Sequence, residues 1–214
     1  MQSPFVMMVA NMPATSLSST APVPDAAEQD TRGRILMAAQ RLFRKRGYHA
    51  TGLSDILQLA NAPKGSMYHH FPGGKEAIGV SVIQDITASL LAMLNNSRAR
   101  STDALVAQVG EQLTVVMEKT HYEICALFSA FAIEHKTSPA LGQAVGTAYN
   151  QLAAVVQQRL QADGLGVRPA KDLAWIVTAL LEGGSLLSQA QQNSCAFRLS
   201  VKQAAALCKA ARTV

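Results

Sequence analysis

The feature that most constrains this chain is the length of its uninterrupted helix-forming stretches. Residues 80–109, 111–138 and 185–214 contain neither Gly nor Pro and are rich in Ala, Leu and Gln. Such residues favour a helix, whereas the aromatic residues that favour strands make up only 5% of the chain. An all-α fold is expected, and 214 residues suffice for one or two compact units with a real core. Breakers at Ser101-Thr102-Asp103, Ser138-Pro139, Gly164-Leu165-Gly166 and Arg168-Pro169 divide the later part into helices over 75–98, 103–120, 123–136, 139–163, 169–193 and 197–212. No run of about 18 apolar residues stands out, so no membrane span is expected.

The N-terminal part reads differently. Residues 1–30, rich in Ser, Thr, Pro and Ala without a sustained period, are expected to form a disordered tail. Its short apolar segment 5–9 has no basic residue before it, so a signal peptide is not expected. Over 31–46, Ile35, Ala39, Leu42 and Phe43 form one buried stripe, ended by Gly47 as a C-cap. Thr51 is placed to N-cap a second helix whose inner residues are Leu53, Ile56, Leu57 and Ala60. Asn61-Ala62-Pro63 then breaks the chain: Asn61 tolerates the left-handed conformation and Pro63 can open a third helix over 64–71, with Met67 and Phe71 inward. Pro72-Gly73-Gly74 separates it from a long fourth helix starting at Lys75. Two packed helices that hold a third outward form a helix-turn-helix, which reads the DNA major groove.

The outer face of that third helix carries Lys64, Gly65, Ser66, Tyr68, His69 and His70, and no carboxylate. Helices three and four both begin with Lys, where the helix dipole disfavours a cation by about 0.3–1 kcal/mol. A DNA phosphate at the same place reverses the sign. A solvated lysine is the plain alternative for either one alone. Residues 31–80 hold eight basic and two acidic side chains, a net of +6 in a chain whose total is +5. Such a block suits a polyanion, and on charge alone it equally suits a solvated basic face.

At these residues a resemblance becomes specific. Arg34-Ile35-Leu36, Leu42-Phe43, Arg46-Gly47-Tyr48, Ala50-Thr51, Asp55-Ile56, Pro63-Lys64-Gly65-Ser66-Met67-Tyr68-His69-His70-Phe71 and Lys75-Glu76 resemble the N-terminal domain of the TetR family of repressors. Pro72-Gly73-Gly74-Lys75-Glu76 and the segment 179–187 resemble its branch containing LmrA and YxaF. The resemblance implies a helix-turn-helix DNA-binding domain over 31–78 and a helical ligand-binding and dimerisation domain over 79–214. It implies a cytoplasmic homodimer on a pseudo-palindromic double-stranded operator, released by a small apolar effector, with no cofactor and no enzymatic activity. It implies DNA contacts from Thr51, Lys64, Gly65, Ser66, Tyr68, His69, His70 and Lys75. Two departures stand out: Asn61 replaces the common turn glycine, and Gly73-Gly74 lengthens the loop before Lys75 by one residue.

The C-terminal half offers weaker signals. Met and aromatic residues can line an adaptable cavity or equally fill a core; the resemblance to the family implies a cavity, lined by Met117, Phe128, Phe131, Tyr149, Trp175, Thr178 and Glu182. Glu182 lies in an apolar run, where a lone carboxylate is costly unless it is paired. A ligand, a partner subunit or an inter-helix contact would each satisfy it. Gly183-Gly184 interrupts a good helix at about 1 kcal/mol per residue, which the close approach of another backbone compensates. With Leu186, Leu187, Phe197 and Val201 it forms the expected dimer interface. Glu118 and His121 form a lone Glu-x-x-His, read as a surface pair because a di-iron bundle needs two such pairs. Cys125, Cys195 and Cys208 are expected to be free thiols, and Cys125, on an apolar stretch near Phe128 and Phe131, reads as buried and inert, with a redox or covalent sensor as the alternative. A small enzyme or metal carrier would need paired catalytic groups, a phosphate loop or metal-ligand spacing, and none is visible. An architectural DNA-binder would not need the large C-terminal domain.

Overall fold

The structure is a computed structural model that describes residues 31–123 and 127–212; the N-terminal tail and Cys125 lie outside the described residues. The elements are α1 Thr31–Arg46, α2 Leu53–Ala60, α3 Lys64–His70, α4 Gly74–Asn95, α5 Thr102–Lys119, α6 Leu127–Ala132, a 3-10 turn Ile133–Lys136, α7 Pro139–Ala162, α8 Val167–Gln191 and α9 Cys195–Arg212. No strand occurs among the described residues.

Helices α1 to α3 form a small bundle around Ile35, Ala39, Phe43, Ile56, Ala60, Met67 and Phe71. Gly47 ends α1 at φ +79°, with its N–H donating to the Phe43 carbonyl at 3.0 Å. Asn61 takes the left-handed conformation, φ 47° and ψ 49°, that turns the chain from α2 into α3. The expected N-cap differs: Gly52 caps α2, and its N–H is accepted by the Asp55 carboxylate at 3.4 Å. Thr51 is fully buried and its hydroxyl donates to the Gly47 carbonyl at 2.8 Å. Asp55 already serves the helix start, so the Thr51 hydroxyl closes the preceding turn instead.

The core of this bundle does not stop at residue 78. Ile78, Val82, Ile83 and Ile86 of α4 carry it without a gap to Phe128, Phe131, Leu141, Val145 and Ala148. The expected boundary between 78 and 79 therefore falls inside α4, a rigid helix common to both parts. A second cluster joins α5, α7, α8 and α9 through Val106, Val156, Leu160, Ala174, Val177, Ala204 and Cys208. By length and composition α4 and α8 would each pass for a membrane span, which corrects the expectation that nothing here resembles one. Apolar residues of α4 fill the core shared by the two parts, and α8 packs against α7 and α9.

The single helix expected over 123–136 is broken. His121 and Tyr122 both adopt positive φ, 47° and 61°, which stops the preceding helix. After the short α6 the chain tightens into the 3-10 turn, where the Thr137 hydroxyl and the N–H groups of Thr137 and Ser138 all donate to the Glu134 carbonyl. This winding turns the Glu134 side chain inward, 3% exposed, toward the N-terminal bundle.

Candidate nucleic-acid interface and effector cavity

Helix α3 buries Met67 and is anchored by Phe71, so its outer surface is fixed by the period of the helix. Lys64, Gly65, Tyr68 and His69 are exposed, with Tyr68 at 49%, while Ser66 and His70 are half-buried at the edge of the same face. The His69 and His70 rings pack edge-on at 5.1 Å, and Arg32 of α1 lies over the Phe71 ring at 5.4 Å. Two expected contacts stand elsewhere. The buried Thr51 offers no hydroxyl to the surface. Lys75 folds back, its ammonium 4.3 Å from the centre of the Tyr48 ring and 3.4 Å from the His49 carbonyl oxygen that it bonds. Burial lowers its pKa, and the nearby Glu134 carboxylate partly offsets the shift.

Tyr48, His49 and Lys75 belong to a junction that sequence reasoning missed. Phe131 of α6 packs edge-on against Phe43 at 5.6 Å and Tyr48 at 5.8 Å. Glu134 pairs with His49, and the Ser138 hydroxyl donates to Glu76 at the start of α4. Burial raises the Tyr48 pKa, reinforced by the charges of Glu76 and Glu134. These contacts join residues 62 to 88 positions apart in the chain (Glu76 to Ser138, Phe43 to Phe131), which local periodicity cannot reveal.

A cavity of about 190 Å³ opens between the helices of the C-terminal part. Its walls are Ile86, Leu90 and Leu94 of α4, Val109, Leu113, Val116 and Met117 of α5, and Phe128 of α6. Tyr149, Leu152 and Val156 of α7, Val177, Thr178, Leu181, Glu182 and Ser185 of α8, and Phe197 of α9 complete it. Five of the seven expected cavity residues, Met117, Phe128, Tyr149, Thr178 and Glu182, are brought together here. Phe131 is not among them, because its ring is taken up by the junction. Trp175 is not either: it lies on the outer side of α8, 41% exposed. Glu182 accepts a hydrogen bond from the Ser129 hydroxyl of α6. The Tyr149 phenol is also bonded to Glu182, and burial, then the Glu182 charge, push its pKa well above the usual value. The Thr178 hydroxyl donates to the Ala174 carbonyl at 2.9 Å.

The expected dimer residues divide between two faces of α8 and α9. Gly183, Leu186 and Leu187 are exposed, the two leucines at 50% and 54%. Trp175 and Ile176, at the same helical spacing, continue that apolar stripe, and Leu199 and Leu207 of α9 are exposed as well. Gly184, Phe197 and Val201 face inward. A β-carbon at Gly184 would meet Ser200 and the Phe197 backbone of α9, the latter at 3.1 Å, and Val201 lies where a β-carbon on Gly110 would sit 2.5 Å away. Phe197 lines the cavity. The close approach inferred from the glycine pair is thus made within one chain at Gly184. Elsewhere, Glu118 accepts from Ser194 at 2.6 Å and pairs with Arg198 at 3.2 Å, and His121 is exposed. Among the described residues no group of three His, Cys, Asp or Glu could hold a metal ion. Cys195 is an exposed and Cys208 a buried free thiol.

A projecting recognition helix, joined through a shared helix to a hollow helical domain, defines a DNA-binding regulator of the helix-turn-helix class. The pattern of the bacterial regulatory proteins of the tetR family matches residues 35–80, and that of the transcriptional regulator LmrA/YxaF-like C-terminal domain matches residues 103–203. The chain belongs to the TetR family of transcriptional regulators, in the group with the LmrA/YxaF-like C-terminal domain. It is 32% identical to the HTH-type transcriptional regulator LmrA of Bacillus subtilis over 77% of this chain and 89% of that protein. It is 28% identical to the uncharacterized regulator YxaF of the same organism over 81% and 93%. A TetR regulator crystal structure from Legionella pneumophila superposes with a TM-score of 0.72 at 22% identity, over 86% of this chain and 98% of that one, and so shares the fold. The family and these relatives are transcriptional regulators, not enzymes.

Proposed function

We propose that the protein is a cytoplasmic repressor that binds a pseudo-palindromic operator as a homodimer and releases it when a small, largely apolar effector fills the α4–α9 cavity. The observation that carries this reading is the continuity of α4. Its first turn bears Lys75 beside the recognition domain, and Ile86, Leu90 and Leu94 further along form a cavity wall. The proposed DNA contacts are Lys64, Gly65, Ser66, Tyr68, His69 and His70, with Lys75 turned outward from Tyr48. The exposed stripe of α8 and α9 is the proposed subunit contact. An effector that prefers the arrangement with misplaced recognition helices must weaken DNA binding reciprocally, and a coupling of about 1–3 kcal/mol changes affinity by about 5–150-fold.

Binding to a palindromic duplex is expected to fall steeply with salt, because Lys and Arg displace counterions. Lys64→Ala should reduce the salt slope by about one, and Tyr68→Ala should weaken binding by about tenfold, with helicity intact in both. Titrations of each variant by fluorescence anisotropy at several salt concentrations check this. Parent-like binding by both variants would remove α3 from the interface. A screen of hydrophobic compounds for thermal stabilisation, followed by operator release with each hit, tests the coupling. Stabilising compounds that leave operator affinity unchanged would show the cavity to be uncoupled.

A further inference from the structure

The cavity has one chemically distinct end. Its wall is aliphatic and aromatic except near Tyr149, Thr178, Glu182 and Ser185, and Glu182 is its only carboxylate among the described residues. The groups bonded to Glu182, the hydroxyls of Ser129 and Tyr149, are neutral donors and cannot cancel a negative charge. No Lys, Arg or His among the described residues lines the cavity. We propose that the effector is an amphipathic monocation, a single-ring or aliphatic body whose protonated amine pairs with Glu182. This rests on the cavity being the effector site.

The alternatives fit the wall less well. A neutral apolar ligand would exclude water from Glu182 and return nothing for the lost hydration, which is costly for a charge. An anion would be repelled. A cation supplies the missing charge and a charge-assisted hydrogen bond where the surrounding dielectric is low. Size narrows the class further: a cavity of about 150 Å³ accommodates benzene, so about 190 Å³ suits one ring with a short chain. The same contact reaches the junction. Ser129 lies on α6, the helix that also bears Phe131 against Tyr48.

The test compares three probes of equal body at pH 7: 3-phenylpropylammonium, 3-phenylpropanol and 3-phenylpropionate, titrated calorimetrically into the full chain. The ammonium should bind about tenfold more tightly than the alcohol, the margin between a charge-assisted and a neutral hydrogen bond, and the carboxylate should bind least. In Glu182→Gln the ammonium-to-alcohol ratio should fall to about one. A parent protein that binds the alcohol as tightly as the ammonium overturns the proposal without any variant, and leaves the effector cavity standing. Persistence of the preference in Glu182→Gln overturns the assignment to that residue. Failure of all three probes to bind overturns the cation, and the cavity falls with it only if a hydrophobic screen also yields no stabilising compound.

Discussion

Phe131→Ala is expected to destabilise the protein by about 3–5 kcal/mol, the range for truncating a buried aromatic side chain. The ring is 1% exposed and sits where the two parts of the molecule meet, edge-on to Phe43 and Tyr48. Aromatic pairs of this kind add about 0.5–1.5 kcal/mol beyond the area they bury. The hole left behind is bordered by α1, the α1–α2 turn and α4, and each of these is held by other contacts, so collapse into it is limited. For a chain of this size the midpoint of thermal unfolding should fall by about 2–4 °C for each kcal/mol lost. Denaturant unfolding followed by circular dichroism measures the loss. A second readout separates packing from transmission: Phe131→Leu, which keeps much of the volume, should recover most of the stability. If effector-driven operator release stays weak in Phe131→Leu, the aromatic contact with Tyr48 transmits the signal. A loss below about 1 kcal/mol in Phe131→Ala would show that the junction is not packed as described.

The adjacent glycines of α8 should behave in opposite ways. Gly184→Leu places a branched side chain against Ser200 and the Phe197 backbone of α9. Backbone cannot rotate aside, so α8 and α9 must separate, and a loss of roughly 3 kcal/mol or more is expected from overpacking. The gain in helix propensity, about 1 kcal/mol for replacing Gly, does not offset it. Gly183→Leu meets nothing within 4 Å and lies on the exposed stripe with Leu186 and Leu187. Within one chain the propensity gain stands unopposed, so the monomer should be no less stable than the parent monomer, while a bulky side chain on the proposed subunit contact should weaken self-association. Sedimentation and thermal unfolding of the two variants check both halves. A Gly183→Leu protein that sediments as the same stable dimer would move the subunit contact off this part of α8, and a stable Gly184→Leu protein would contradict the close packing of α8 on α9.

Much of the molecule was written in short-range pattern. The Ile35, Ala39, Leu42 and Phe43 stripe, Gly47 as a cap and Asn61 in the turn all follow from helical period and backbone sterics, which act within a few residues. Met67 and Phe71 inward leave Lys64, Tyr68 and His69 outward by the same geometry. Glu182 stood out because a carboxylate in an apolar run needs a reason. These features could be read without knowing what any distant residue does.

Other assignments required knowledge of partners. Gly183 and Gly184 are identical in sequence, yet α9 covers one and leaves the other open. Phe131 and Phe128 lie on the same short helix, three positions apart, and face the junction and the cavity respectively. Nothing local distinguishes a Phe that fills a core from one that borders a hollow. Trp175, expected in the cavity wall, lies on the outer stripe. The sequence by itself determined α1 to α4, the Gly47 cap, the Asn61 turn and the outward face of α3, because those depend on contacts a turn or less away, but not the cap of α2 or the break between α5 and α7. The tertiary structure decided which apolar face of α8 is hollow, packed or open, and that Glu134 reaches His49, because those outcomes depend on residues brought together only when α4 and α6 set the two parts against each other.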